Sequence, residues 1–320
     1  MTDKISEKAL VSIIMPAYNC QKFITQALDS ILAQTYPHWE LLIADDASKD
    51  ATRAIIDKYA NKEPRIKLFH NNENLGYLKT WNKLLDQAKG AFITFQDADD
   101  WSHPRRLEIL LEAFKKNPGL GAIGSNYAKT DEKGQILFES RLALRPEEIF
   151  SRMPEHFDFV GSGLMVRREV VKAVGGYHEF FDRLGSEDLY WGYRIAEKFG
   201  IANVPDVLYY YRTNMRSVAL TLTTSPGKWL SLEYARFFIL QRRRTGTDFL
   251  EAGQIEEAQQ LRQAWEAPFK ADPGLLFEKV AARRFYEGYK RLGRILQFKA
   301  WLKTPWKLKR LRDWLYYLRT

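Results

Sequence analysis

The sequence contains one cysteine, Cys20, among 320 residues, so no disulfide bond can form within the chain. It also lacks an uninterrupted run of about 18 apolar residues, the length that a membrane-spanning helix requires. The first ten residues, MTDKISEKAL, include acids and lack the apolar stretch of a signal peptide. Together these absences argue against a disulfide-rich or membrane-spanning protein and predict one that is made and kept in the cytoplasm.

Net positive charge is close to zero over most of the chain and is concentrated at its carboxyl-terminal end. The formal net charge is +9. Residues 283–320 contain 12 Lys and Arg against two acids, whereas residues 1–282 contain 37 Lys and Arg against 38 acids. The basic character therefore belongs to the tail 283–320.

Short apolar runs alternate with helical patterns from residue 10 to residue 116. The predicted strands are 10–16, 39–46, 65–71 and 91–97, and the predicted helices are 24–34, 50–60, 77–88 and 104–116. This alternation predicts an α/β fold with a Rossmann-like, mostly parallel sheet flanked by helices on both faces.

The second half of the chain is less regular. Two strands around a turn are expected within 120–141, a strand and a short helix within 159–177, a helix at 186–200 and a strand at 207–212. Helical patterns dominate beyond about residue 222. We therefore expect a first domain over 1–220 and a helical region over 221–320.

A polar motif follows each of the four early strands. These motifs are PAYN at 16–19, DDAS at 45–48, NNENLG at 71–76 and DADD at 97–100. Ligands of open α/β sheets bind beyond the carboxyl ends of the strands. The four motifs therefore predict one shared ligand site.

The DADD motif has a metal-binding and a structural interpretation. Asp97 and Asp99 alternate, so in an extended backbone their carboxylates point to the same side. Such a pair provides the hard oxygen ligands that Mg²⁺ and Mn²⁺ prefer, usually shared with substrate phosphates. A solvated turn is the alternative, and Asp100 is expected to pair with a neighbouring base or to cap the turn.

Two further acidic motifs leave alternatives open. DDAS is either a helix-capping cluster or a site for hydrogen bonds to a base or ribose. EDLYW, at 187–191, is either a helix cap or the location of a general base near an acceptor hydroxyl. Trp191 in that motif either packs in the core or forms a platform for a sugar.

The chain resembles a family 2 inverting glycosyltransferase of the glycosyltransferase A fold. The resemblance rests on an ordered series of segments over about residues 10–217. These segments are VSIIMPAYN, SILAQTYPHWELLIADDAS, NENLGYLKTWN, FQDADDWSHPRRLE, GSGLMVRREVVKAVGGY and SEDLYWGYRIAEKFGIANVPDVLYYYR.

The resemblance implies a role for each matching residue. The nucleotide would contact the first three motifs, with uracil held by Asp45; these contacts are Pro16, Ala17, Tyr18, Asn19, Asp45, Asn74 and Gly76. Asp97 would contact the ribose or the metal, and Asp99 would be the principal metal ligand on the diphosphate. Asp188 would be the catalytic base, with Glu187 beside it.

Two positions depart from the family pattern. The family often has a histidine two residues after the Tyr-Arg pair, where this chain has Asn214. The metal would then have fewer protein ligands, or Asn214 would contribute its carbonyl oxygen. His178 stands where the family often has aspartate, and no role is assigned to it.

The implied activity is transfer of one sugar from a nucleoside-diphosphate sugar, UDP-sugar by family habit, to a glycan or lipid-linked acceptor in cell-surface polysaccharide or lipopolysaccharide assembly. The chain lacks the Gln-x-x-Arg-Trp motif of processive members. Two other classes stay open: a sugar nucleotidyltransferase, although PAYNCQKF lacks the glycines that such an enzyme needs, and a non-catalytic nucleotide-sugar-binding domain.

The tail 283–320 has three interpretations. It is a helical cap with solvated basic residues, a nucleic-acid-binding segment, or a segment that lies on anionic lipid with its aromatics at the headgroups. The membrane surface is preferred beside a glycosyltransferase domain, since many acceptors are lipid-linked. We therefore expect peripheral contact at the inner face of the cell membrane and no nucleic-acid partner.

Overall fold

The computed structural model describes residues 8–213 and 225–319. The chain divides into two compact units, 1–214 and 215–320. The sequence prediction places this boundary a few residues later, after residue 220. None of the helices in the described ranges combines the length and the apolar character that a bilayer crossing requires.

The first part of unit 1 alternates strands and helices as the sequence predicts. Its elements are β1 (Val11–Ala17), α1 (Ile24–Leu32), β2 (Trp39–Asp45), α2 (Thr52–Ala60), β3 (Ile66–His70), α3 (Tyr77–Leu85), β4 (Phe92–Phe95) and α4 (Arg106–Lys116). A two-residue strand, β5 (Trp101–Ser102), lies between β4 and α4 and was not predicted.

The remainder of unit 1 adds shorter elements. These are β6 (Ala122–Thr130), β7 (Ile136–Glu139), α5 (Pro146–Arg152), β8 (Met165–Arg167), α6 (Arg168–Val174), α7 (Glu187–Phe199) and β9 (Ile201–Arg212), with 3₁₀ turns at Gly161–Gly163 and Glu179–Phe181. Gly200 ends α7 with a φ of 72°, a backbone conformation that favours glycine.

In the part of the chain that the structure describes, nine strands form one sheet in the order β3-β2-β1-β4-β8-β6-β9-β5, with β7 paired to β6. The pairs β3–β2, β2–β1 and β1–β4 are parallel, whereas β8 runs antiparallel to both of its neighbours. The Rossmann-like sheet flanked by helices is thus confirmed, and the later strands make it a mixed sheet.

The sheet is buried on both faces, which explains why its central strands are continuous apolar runs. Every residue of β1, β2 and β4 is buried. On one face, apolar residues of the sheet pack against α1 and α4 in a large core cluster. On the other, Trp81 of α3 stacks on Tyr177 and meets Trp191 edge to face.

Between residues 225 and 319, unit 2 is mostly helical. Its helices there are α8 (Pro226–Thr245), α9 (Ile255–Ala271), α10 (Leu275–Tyr286), α11 (Lys290–Lys303) and α12 (Leu308–Arg319). Leu276, Val280, Ala281 and Leu296 form an apolar cluster between α10 and α11. Buried Arg310 holds α12 in place through hydrogen bonds to Asp272 and Glu278.

Close backbone packing at Gly90 gives a test of the sheet. A β-carbon there would lie 2.6 Å from the backbone nitrogen of Ser12 and 2.7 Å from the carbonyl oxygen of Leu10. Gly90→Ala should therefore lower the free energy of unfolding by about 2 kcal/mol or more. Gly119→Ala, where nothing lies within 4 Å, should change it by less than about 0.5 kcal/mol. Urea denaturation compares the two, and equal midpoints would contradict the packing described.

Candidate active site

The first two loops are joined where β1 and β2 end side by side. Ala17 pairs with Asp45 in the parallel ladder. Asn19 adopts a left-handed φ of 48°. Its backbone N–H donates to the Ser48 hydroxyl at 3.0 Å, and its side-chain oxygen accepts from the backbone N–H of Lys49 at 2.8 Å. The structure therefore brings the PAYN and DDAS motifs together at one edge of the sheet.

The predicted nucleotide contacts in PAYN differ in exposure. Pro16 and Ala17 are buried in β1, so they shape the edge mainly through their backbone and their bulk. Tyr18 is 45% exposed and Asn19 is also exposed. Of the four, these last two present side chains at the surface.

Asp45 has an unfilled hydrogen-bond acceptor. One oxygen, Oδ2, accepts a long bond from the Ser48 backbone N–H at 3.4 Å. The other, Oδ1, is buried and has no hydrogen-bond partner among the residues described. Since burial of an unpaired polar atom is unfavourable, a ligand N–H bound at Oδ1 would remove that penalty.

The adjacent Asp46 forms its hydrogen bonds within the protein. Its carboxylate accepts from the backbone N–H groups of Leu75 and Gly76, both at 2.9 Å, and from the side-chain amide of Asn71 at 2.8 Å. Its carbonyl oxygen accepts from the Asn74 side chain at 3.2 Å. This carboxylate holds the third loop against the second. In DDAS, Asp46 is therefore fully engaged by the protein, whereas Asp45 keeps one unpaired oxygen.

The third loop also contacts the loop that precedes α7. Arg183 donates to the carbonyl oxygen of Asn74 at 2.8 Å. A β-carbon on Gly76 would lie 3.4 Å from the Arg183 guanidinium carbon, and Gly76 has a φ of 88°. Asn74 and Gly76 are therefore at the same edge as the other motifs.

The DADD motif is a turn, which corrects the extended backbone that the sequence analysis assumed. The N–H of Asp100 donates to the carbonyl oxygen of Asp97 at 3.2 Å, and the two residues between them form the turn. Alternation along an extended strand therefore does not bring the Asp97 and Asp99 carboxylates to the same side. The charge of Asp97 nevertheless raises the pKa of Asp99 across the turn.

Asp97 is bound by hydroxyl groups on both oxygens. Tyr77 donates to Oδ1 at 3.1 Å, and Ser162 donates to Oδ2 at 2.5 Å. Burial raises the pKa of this carboxyl, while the two hydroxyl donors and the charge of Arg106 act in the opposite direction. Each oxygen keeps acceptor capacity for a ligand.

Asp99 is the least engaged of the three acids. No side chain in the described part of the chain donates a hydrogen bond to its carboxylate, although its carbonyl oxygen accepts from Arg212 at 2.8 Å. Burial, and then the charge of Asp97, raises the pKa of Asp99 to about 6. A bound cation would stabilise the ionised form.

Asp100 has a structural role. It is 1% exposed and accepts from the Tyr209 hydroxyl at 2.8 Å and from the Arg212 backbone N–H at 2.7 Å. Both partners lie in β9, so this carboxylate fixes the turn to the neighbouring part of the sheet.

Glu187 and Asp188 begin α7 and lie near the DADD turn. The Asp188 carboxylate accepts from the backbone N–H group of Leu189 at 2.9 Å, and its side chain packs against Gly161. Burial raises the pKa of both acids; the charge of Asp188 adds to the effect on Glu187, and the charge of Asp97 adds to that on Asp188. Acids from segments about 90 residues apart in the chain thus share one electrostatic cluster.

Trp191 is a core residue. It is 1% exposed, packs edge to face on Trp81 and Tyr177, and donates from its indole nitrogen to the Gly175 carbonyl oxygen at 2.7 Å. Its ring therefore has no free face for a sugar, and the core alternative holds.

The described residues can provide only part of a metal site. Across 8–213 and 225–319, no three His, Cys, Asp or Glu side chains are grouped as metal ligands. Asp97 and Asp99 nevertheless fit the few-ligand chemistry of Mg²⁺ or Mn²⁺, which share coordination with phosphates and water. Asn214 lies outside the described residues.

Several residues of the site were not singled out from the sequence. Tyr77, Ser162, Arg106, Tyr209 and Arg212 support the acids through hydrogen bonds or charge. Their one sequence signal was their position inside the motif segments. The bonding itself joins residues that are 20 to 112 positions apart and only folding brings them together.

Comparison with known proteins identifies the type of domain. Residues 12–175 match the model of glycosyl transferase family 2. EpsE of Bacillus subtilis (strain 168), whose name gives it as a glycosyltransferase, is 32% identical over 210 residues, which cover 63% of this chain and 72% of EpsE.

Two further proteins are similar to this chain, one in sequence and one in fold. The Escherichia coli UDP-Glc:alpha-D-GlcNAc-diphosphoundecaprenol beta-1,3-glucosyltransferase WfgD is 42% identical over 108 residues, which cover 34% of this chain and 42% of WfgD. A solved structure with a similar fold is the mannosyltransferase PcManGT of Pyrobaculum calidifontis, in complex with GDP-Man and Mn²⁺. The match has a TM-score of 0.55 at 22% identity, and it covers 92% of this chain and 87% of the PcManGT chain.

Proposed function

Since the chain belongs to glycosyl transferase family 2, we propose that it is a non-processive, inverting glycosyltransferase. It would move one sugar from a nucleoside-diphosphate sugar to a hydroxyl of a glycan or lipid-linked acceptor in cell-surface polysaccharide or lipopolysaccharide assembly. The observation that supports this proposal best is the position of Asp97, whose charge raises the pKa of Asp99, of Glu187 and of Asp188. WfgD, named for a lipid-linked acceptor, supports the acceptor class.

The donor would bind at the ends of β1, β2 and β4. The unpaired oxygen of Asp45 suits the ring N–H of uracil, and UDP-sugar is therefore the preferred donor class. The name of WfgD gives UDP-Glc as its donor, in line with this preference, whereas PcManGT was solved with GDP-Man. Pro16, Ala17, Tyr18, Asn19, Asn74 and Gly76 would surround the nucleotide.

A divalent cation, Mn²⁺ or Mg²⁺, would be held by Asp99 and Asp97 with the donor diphosphate. The Mn²⁺ in PcManGT and the raised pKa of Asp99, whose ionised form a cation would stabilise, support this assignment. When bound, the cation neutralises charge on the leaving diphosphate. A contribution from Asn214 stays a prediction.

The reaction would be a single displacement in which Asp188 is the base. The acceptor oxygen bonds to the anomeric carbon while the bond from that carbon to the diphosphate oxygen breaks. The hydroxyl proton passes to the Asp188 carboxylate, and the nucleoside diphosphate leaves with the electron pair. One displacement inverts the configuration, and the raised pKa of Asp188 suits a base that works near neutral pH. Glu187 would stay beside it as a neighbouring acid.

Peripheral membrane contact is proposed for the tail 283–320. The end of α11, the turn after it and the start of α12 expose apolar and basic side chains, which we name the α11–α12 strip: Leu302, Lys303, Trp306, Leu308 and Lys309. Trp306 and Leu308 are 73% and 71% exposed. Aromatic, apolar and basic groups in one strip suit the headgroup region of an anionic bilayer.

Replacement of the proposed base should separate chemistry from binding. Turnover is first measured for a panel of nucleotide sugars, which also distinguishes transferase from nucleotidyltransferase and from simple binding. With the donor so identified, Asp188→Asn should lower turnover by about 10³-fold or more, since an amide cannot accept the proton. Donor affinity by calorimetry should change by less than about threefold. Turnover close to wild type would remove Asp188 from this role.

The pH dependence of turnover should reflect the raised pKa of Asp188. A base is inactive when protonated, so turnover should be full above the raised pKa and should fall as the pH drops through it, well above the pKa of about 4 of an ordinary aspartate. Turnover is measured from pH 4.5 to 8, with circular dichroism over the same range as the control for unfolding. A flat profile down to pH 4.5 would contradict the assignment.

Vesicle binding tests the α11–α12 strip. The full chain should co-sediment with phosphatidylglycerol-containing vesicles at low salt and much less at 1 M salt, because salt screens charge. The double variant Trp306→Ser, Leu308→Ser should bind at least about tenfold more weakly. The matched control Ile136→Ser, Leu137→Ser, at exposed apolar residues of β7, should bind like wild type. Equal binding by the two variants would reject the strip as the contact.

A further inference from the structure

The segment Gly161–Ser162 lies between the two groups of acids. The Ser162 hydroxyl donates to Oδ2 of Asp97 at 2.5 Å. The backbone of Gly161 packs directly against the side chain of Asp188. Two consecutive residues thus contact one acid from the DADD turn and one from the start of α7.

The contact with Asp188 requires glycine. A β-carbon on residue 161 would lie 2.7 Å from both the β-carbon and Oδ2 of Asp188. Contacts this short do not occur between real side chains, so any larger residue must displace the carboxylate. By contrast, a β-carbon on the next glycine, Gly163, would meet Val160 at an ordinary 3.5 Å.

A buried guanidinium holds the segment in place. Arg106, 2% exposed, donates to the carbonyl oxygens of Ser162 at 2.9 Å and Phe95 at 3.1 Å, and to the Thr94 hydroxyl at 2.7 Å. The Thr94 hydroxyl in turn donates to the carbonyl oxygen of Leu164 at 2.7 Å. The segment is thereby tied to the end of β4, from which the DADD turn begins.

The hydrogen bond from the Ser162 hydroxyl helps to orient the Asp97 carboxylate. Tyr77 occupies one oxygen and Ser162 the other, so the two donors fix the plane of the carboxylate. A carboxylate held in one plane loses less freedom when it binds a ligand. Removal of the Ser162 donor frees that plane without removing the charge.

We propose that Gly161–Ser162 is a positioning segment that sets the donor-side Asp97 and the base Asp188 relative to each other, with Ser162 acting on donor binding and Gly161 on turnover. This inference rests on the proposed function, because it takes the roles of Asp97 and Asp188 from it. It assigns separate kinetic effects to two adjacent residues, which a general packing role would not produce.

The experiment compares four single variants of the full chain. Ser162→Ala should weaken binding of UDP with Mn²⁺ by about tenfold in calorimetry, the scale of a lost hydrogen bond to a charged group. Ser162→Thr, which keeps the hydroxyl, should restore most of that affinity. Gly161→Ala should lower turnover of the donor selected by the panel by about 10²-fold and change UDP affinity by less than about threefold. Gly163→Ala, which reaches neither acid, should match wild type in both.

The outcomes distinguish this inference from the proposed function. If wild type does not bind UDP or another nucleotide with Mn²⁺, or if Asp99→Ala binds as well as wild type, the proposed function itself fails. If wild type binds and turns over, unchanged affinity in Ser162→Ala or unchanged turnover in Gly161→Ala rejects the positioning role. Equal losses in Ser162→Ala and Ser162→Thr, or a fall in the unfolding midpoint that parallels the lost activity, would do the same.

Discussion

The burial of several carboxylates at one edge of the sheet is the constraint on which the rest of the site depends. Charged groups near an apolar core are unfavourable, and like charges add repulsion. The protein offsets this in different ways at each position. Asp100 and Asp46 receive several protein donors, Asp97 receives two hydroxyl groups, and Asp99 and Asp45 keep oxygens for a ligand.

The hydrogen bonds to these acids order the loops of the site before any ligand binds. The acids with protein partners join loops to one another: Asp46 binds the third loop to the second, and Asp100 binds the DADD turn to β9. Asp45 and Asp99, which keep oxygens for a ligand, lie next to these acids in the chain, so the same contacts help to fix their positions. A donor that brings an N–H group, a diphosphate and a cation then meets acceptors that need little rearrangement.

The two units differ in their secondary structure and in the location of their polar side chains. Unit 1 is a sheet whose buried strands end in polar loops, and its chemistry lies at that edge. In unit 2, buried Arg310 and its acidic partners anchor α12, while the exposed apolar and basic side chains of the α11–α12 strip lie at the end of α11, in the turn and at the start of α12. Part of the positive charge of the tail 283–320 is thus paired with acids within unit 2, and only its exposed basic side chains are available to a partner.

The sequence by itself determined the alternation of strands and helices, because hydrophobic periodicity is local, and it determined which edge of the sheet carries polar motifs, because strand ends follow from chain order. Four motifs at four strand ends could therefore be assigned to one site. The local patterns could not tell Asp45 from Asp46, nor show that DADD is a turn. Those distinctions depend on partners such as Tyr77, Ser162 and Tyr209, which lie 20, 65 and 109 positions from the acids they bind. Only the tertiary structure decided which carboxylates are satisfied and which stay available, since a hydrogen bond depends on distances in space and not on spacing along the chain.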